Sequence, residues 1–273
     1  MTAAQTDVTV KKSKGRRPRV TESIASALLL VAFFAAWIGV IRAWDFSPLV
    51  LPGPRAAWDA MVDMFGSGFI WPHLSTTMQE ILLGFCLGSA VGVGLAVLLT
   101  QIPSMMRVLN VYIIASQAAP KLALAPLFAV WFGFGMTSKV VIAGLMSFFP
   151  LFENAVRGFS TLDPDYDELF RLLKANRWQK FFRLQLRSAV PYLFTGMRVA
   201  IVLSVVGAVV GEYVGANKGL GALIITTQGN FRTDQMFALI FILTAIGVLL
   251  YAAIEALEWL YNRWVYRVIE EKG

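Results

Sequence analysis

Residues 23–41 contain no charged side chain, and apolar blocks of similar length recur along the chain. The hydrocarbon core of a membrane is about 30 Å thick, a distance spanned by a helix of ~20 apolar residues. No water reaches backbone N–H and C=O groups there, so a single segment crosses only as a helix. These constraints predict an all-α membrane protein. Further blocks lie near 74–99, 108–130, 139–156, 190–210 and 237–257, so a six-transmembrane-helix bundle is expected within a domain over 23–262. A basic tail, 1–22, precedes that domain and a short tail, 263–273, follows it. Composition agrees, with 57% of the 273 residues hydrophobic and 15% charged. Soluble domains carry about 25% charged residues.

The net charge is +7. Its placement argues against nucleic acid, because the basic residues flank apolar blocks. The first tail holds Lys11, Lys12, Lys14, Arg16, Arg17 and Arg19, and the segment 157–187 holds Arg157, Arg171, Lys174, Arg177, Lys180, Arg183 and Arg187. With Arg107, Arg263, Arg267 and Lys272, these make 17 of the 24 Lys and Arg. Six spans place all of them on one side, so the positive-inside rule predicts both termini cytoplasmic. The first block is too long for a signal-peptide core and reads as a retained span. Cys86, the one cysteine, sits in an apolar run as inert packing. A single histidine, His73, excludes a histidine-rich metal site.

Several local patterns refine this picture. Trp58, Met61, Val62 and Phe65 recur at helical spacing and predict a short interfacial helix over 56–65. Gly84, Gly88 and Gly92 lie four apart on one helical face, a helix-packing pattern. Pro120 and Pro126 inside the third block predict a kinked or broken helix. Residues 212–234 read as a glycine-containing loop.

The one long polar stretch in the interior is 157–187. It opens with Asp163-Pro-Asp-Tyr-Asp-Glu168, a helix start in which acidic groups meet the positive end of the dipole. A short amphipathic helix is expected over 168–175. Such a helix lies on the membrane, packs on its own bundle, or docks into a groove of a soluble partner. Spacing alone leaves these three open.

The run Glu168-Leu-Phe-Arg-Leu-Leu-Lys-Ala-Asn-Arg-Trp-Gln179, followed by Leu186, Pro191, Gly196 and Arg198, resembles the signature loop of type I ABC importer permeases. Leu51-Pro52, Pro120 to Pro126, Trp131-Phe-Gly-Phe-Gly135, Glu212-Tyr213 and Gly219-Leu-Gly221 resemble the branch that imports nitrate, sulfonates, taurine, and pyrimidine or vitamin precursors. The chain departs from the pattern in three places. Leu169 and Phe170 replace two alanines, Lys174 replaces a glycine, and Leu186-Arg187 replaces a leucine-proline pair. A lysine resists a turn that a glycine permits.

The resemblance implies the type I importer permease fold in a bacterial cytoplasmic (inner) membrane. It implies cytoplasmic ABC ATPase subunits, a second permease copy or paralogue, an extracytoplasmic solute-binding protein and the lipid bilayer as partners. Coupling to the ATPase falls on Asp167, Glu168, Leu169, Phe170, Leu173, Lys174, Ala175, Asn176, Arg177 and Trp178. The chain has no phosphate-cradling glycine loop. It is therefore expected to bind no cofactor and to carry no catalytic residue, with ATP and Mg used by the partner ATPase. Charged residues inside spans are costly and often functional. Gln117, Lys121 and Glu212 are candidates for the substrate path, with snorkelling or carboxylate pairing the plainer reading of Lys121. An ion-gradient-driven secondary transporter is the alternative, and it would show internal repeats and midplane carboxylates.

Overall fold

The computed structural model describes residues 20–102 and 119–270, together with Met105, Val108, Ile113 and Ala115. Among the described residues there is no β-strand. The long helices are α1 (Val20–Trp44), α3 (Trp71–Thr100), α5 (Met136–Ser160), α8 (Leu186–Tyr213) and α10 (Thr233–Glu270). A π-helical turn, Phe181–Gln185, joins α8 to the single turn α7 (Arg177–Lys180), so Arg177–Tyr213 is one rod. These five apolar helices are each long enough to cross a membrane. Shorter elements are α2 (Pro54–Gly66), α4 (Ala125–Phe132), α6 (Pro164–Leu172) and α9 (Leu220–Gly229).

Helix α5 is the axis of the bundle and packs most extensively on α8 and α3. Between helices in lipid there is no hydrophobic drive, so close van der Waals packing through small residues holds them together. Gly84, Gly88 and Gly92 face α5; a Cβ at Gly88 would come within 3.0 Å of the Phe148 amide nitrogen. From the other side, Gly207 faces Ala143 and Gly211 faces Lys139. Buried Ser147 donates to the Gly144 carbonyl of its own helix (3.1 Å), while Ser204 of α8 donates to the Ile81 carbonyl of α3 (2.8 Å).

Contact order along the helices fixes their directions. Gly84 meets Ala143, and further along Gly92 meets Phe152, so α3 and α5 run parallel. Gly196 meets Leu151 and Gly211 meets Lys139, so α8 runs antiparallel to α5. Parallel α3 and α5 both begin at one end of the bundle. The connection from Gln101 to Gly135 therefore has to return the chain from one end to the other. Within it the backbone at Pro120 (φ −72°, ψ 81°) is not helical. A 3-10 turn, Lys121–Leu124, and α4 follow. This is the break that two prolines in the third block predict; most of 103–118 lies outside the described residues.

Helix α10 lies antiparallel to α8, with Arg198 paired to Glu258 at 3.0 Å and Phe194 against Tyr261. Helix α1 attaches near its end, where Trp37 stacks on Phe237 at 5.5 Å. Most of its remaining apolar surface is open, including Leu28, Leu29, Leu30 and Val31. The start of α1 and the end of α10 thus lie at the same bundle end as α6 and α7.

Helix α2 shows three faces. Ala57, Ala60 and Met64 are buried, on an element that packs against α10. Trp58, Val62 and Phe65 form an exposed apolar stripe, and the Phe65 ring meets Trp71, the first residue of α3, edge-on at 5.6 Å. Arg55, Asp59 and Asp63 line the third side. A helix with protein, lipid and water on its three sides needs this division.

Two measurements test these contacts. Gly88→Ala is expected to lower the stability of the solubilised protein by about 1–3 kcal/mol through overpacking. Gly94→Ala, where nothing lies within 4 Å, is expected to leave the melting temperature unchanged. In a Cys86→Ser background, a nitroxide at Val62→Cys should be reached by oxygen and one at Asp63→Cys by a water-soluble nickel chelate. Equal water access at both sites would refute the interfacial placement.

Candidate functional site

At the end of the bundle where α5 stops and α8 starts, the chain forms the turn-rich segment 161–185. Pro164 occupies the first turn of α6, and the Asp163 carboxylate accepts the Asp165 amide at 3.0 Å as its cap. The helix therefore begins four residues before the expected 168–175 and ends at Leu172. Its end is set by Lys174, which adopts φ 51°. The Lys174 N–H donates to the Arg171 carbonyl and the Ala175 N–H to the Phe170 carbonyl, both at 3.0 Å. This pair of bonds is a Schellman motif, whose left-handed residue is usually glycine. Lysine thus makes the turn that the resembling family makes with glycine, at a strain of about 1–2 kcal/mol.

Asn176 then caps α7 reciprocally with Gln179: each side chain accepts the other's backbone N–H, at 2.7 and 3.0 Å. An ion pair between Asp167 and Lys180 ties α6 to α7. Phe181 stacks on Phe159 at 5.8 Å, seating the rod on the end of α5. With the backbone so held, Leu169, Leu173 and Trp178 project outward, and Leu172 is 74% exposed. Phe170 and Asp167 are half-buried, while Glu168, Lys174, Asn176 and Arg177 are exposed and Ala175 is partly covered. The segment therefore presents a held apolar ridge framed by charges, in which Trp178 stacks on Phe182 at 6.1 Å and Leu169, Leu172 and Leu173 stay exposed.

The opposite end holds a second polar group of residues. Glu212 is 1% exposed and Glu80 fully buried. The Glu212 carboxylate accepts the Thr77 hydroxyl at 2.6 Å and the Gly221 N–H at 2.5 Å. Thr77 in turn accepts the Leu220 N–H at 2.8 Å. His73 Nδ1 lies 3.2 Å from the Gly219 backbone, accepting its N–H in one tautomer and donating to its carbonyl in the other. Glu80 neighbours Glu212 and pairs with Lys139 Nζ at 3.3 Å. Removing one partner of such a buried pair costs about 3–5 kcal/mol.

Of the candidates for a substrate path, Gln117 lies outside the described residues. Lys121 sits in the 3-10 turn with its ammonium 4.1 Å from the Phe149 ring centre. The contact points of Lys121 and of Glu80 on α5 are ten residues apart, about 15 Å along the axis. Lys121 and Glu212 are therefore not brought together. Residues 212–234, expected as a loop, contain the buried helix α9. Thr77, His73 and Lys139 were not singled out by pattern, because none carries a motif; only the fold brings them to Glu212.

Residues 88–263 match the family described as "Binding-protein-dependent transport system inner membrane component". The formylaminopyrimidine transport permease protein ThiX of Halalkalibacterium halodurans is 37% identical over 81% of this chain and 90% of its own length. The riboflavin transport system permease protein RibX of Chloroflexus aurantiacus is 35% identical over 87% of each. The taurine transport system permease protein TauC of Escherichia coli is 26% identical over 93% of this chain and 94% of its own. A crystal structure of an amino acid ABC transporter with histidines superposes at TM-score 0.56, over 73% of this chain and 95% of that chain, at 19% identity. That likeness is one of fold. The chain belongs to the binding-protein-dependent transport system inner membrane component family, as the membrane-spanning permease subunit of an ABC importer.

Proposed function

We propose that this permease carries a small nitrogen heterocycle, of the pyrimidine or vitamin-precursor class, and is driven through the ridge on α6 and α7 by a separate ATPase. The exposed ridge of Leu169, Leu172, Leu173 and Trp178 is the observation that carries the coupling role. Apolar anchors at helical spacing on a rigidly capped turn suit a groove in a soluble partner. Seven Lys and Arg in 157–187 favour the cytoplasmic side for this end. The parallel run of α3 and α5, with a connection that returns across the bundle, favours six crossings and cytoplasmic termini. ATP and Mg then belong to the partner. A second permease copy or paralogue and an external binding protein complete the importer.

The substrate class rests on the relatives. The two described above that exceed 30% identity are named for formylaminopyrimidine and riboflavin, both nitrogen heterocycles. Those named for taurine and nitrate are more distant, at 26% and 23%.

Leu169→Asp with Leu173→Asp is expected to release the ATPase on co-purification while membrane insertion stays intact. Each buried interface anchor is worth about 1–2 kcal/mol or more, so the loss in affinity exceeds roughly tenfold. Retained ATPase binding would sink the docking assignment. For the substrate, vesicles holding the whole importer should accumulate labelled formylaminopyrimidine or riboflavin with ATP. Accumulation of taurine or nitrate alone would overturn the heterocycle class.

A further inference from the structure

Helix α9 is ten residues long, about 15 Å, half of what a crossing needs. Leu220, Gly221, Ala222, Leu223 and Ile224 are nevertheless buried. The first amide groups of any helix lack partners within that helix, and in an apolar surround they must find acceptors. Here side chains from two other helices supply them: Thr77 of α3 and Glu212 of α8, with His73 of α3 accepting the Gly219 N–H in one tautomer. The carboxylate stands where a helix N-terminus ordinarily holds a bound anion. Gly219 and Gly221 leave room for it, since a Cβ at either position would strike the Glu212 carboxyl. Gly219 also needs its φ of 127°.

The cluster reaches a third helix through Lys139, which stands three residues after the start of α5 and pairs with Glu80. The other end of α5, Ser160, leads within three residues to Asp163, the cap of α6. One helix of 25 residues therefore joins the coupling ridge to the charge cluster. Buried charges of this kind tolerate one arrangement and resist intermediate ones, because an unpaired charge in the bundle is costly.

We propose that Glu212, Glu80 and Lys139 are positioning residues forming a latch that seats α9 across the end of the bundle opposite the coupling ridge, and that the latch parts when α5 is displaced. This rests on the permease reading given above. With the latch closed, α9 is held by its first amides against α3 and α8 at that end. Displacement of α5 by the motor withdraws Lys139 from Glu80, and the cap on α9 loosens with it.

The test uses the complete importer, with its ATPase and binding protein, in vesicles. In a Cys86→Ser background, Thr77→Cys with Leu220→Cys places a disulfide across the latch. Oxidation is expected to lower transport by about tenfold or more, within the usual range of coupling between sites, and a reductant to restore it. Transport at the unoxidised rate, with the cross-link verified by mass, would overturn the latch. Independently, Glu212→Gln and Lys139→Met should raise ATP hydrolysis in the absence of binding protein and lower the solute moved per ATP. An assembled variant with an unchanged ratio would assign the cluster to structure alone and overturn the proposal. If the unmodified importer moved no solute with ATP, the permease reading itself would fail, which is a separate outcome.

Discussion

Everything in this bundle depends on how closely backbones approach α5. A membrane gives helices no reward for burying Leu or Val against one another, because lipid tails are equally apolar. What remains is contact between small residues, and α5 receives it on both sides: Gly84, Gly88 and Gly92 from α3, Gly207 and Gly211 from α8. The same closeness lets Ser204 reach the Ile81 carbonyl across a helix boundary. Helix α1 lacks this glue and attaches mainly by Trp37 on Phe237 and Phe241.

The tight three-helix unit has a polar assembly at each end, and they solve different problems. At the end that carries α6 and α7 the chain must leave the bundle, turn and re-enter without fraying. Asp163, the Lys174 turn and the Asn176–Gln179 box each satisfy backbone groups there. At the other end a short helix begins inside apolar surroundings, and its amides are met by Thr77 and Glu212. The first assembly leaves its apolar side chains exposed, whereas the second buries charge.

How much of this was legible from sequence follows from the range of each interaction. Apolar blocks, the glycine triplet and the prolines are patterns of one helix or one turn, and among the described residues span-length helices are seen for five of the six blocks, together with the non-helical backbone at Pro120. The acidic start signal at 163–168 is also readable in the sequence, though both bounds of the helix differ from the expected 168–175. Helix 168–175 was expected from apolar spacing, but the capping strength of Asp163-Pro164 and the left-handed Lys174 shift it to Pro164–Leu172. Helix α9 was hidden because its glycines resemble those of a loop; only Glu212, nine residues before Gly221, explains their use. Lys139, Glu80 and Glu212 are brought together by three different helices, and no local spacing announces that.

The π-helical turn at Phe181–Gln185 has a geometric consequence for the end of the bundle that carries α6 and α7. Such a turn accommodates one residue beyond the α-helical repeat, and each residue of an α-helix turns the chain by about 100°. Asn176, Arg177 and Trp178 lie on the far side of that turn from the span. Loss of a single residue there would leave the span intact and swing the Trp178 side of the rod by roughly a quarter of a circle. The direction in which the Trp178 side of the rod faces is therefore written into one supernumerary residue.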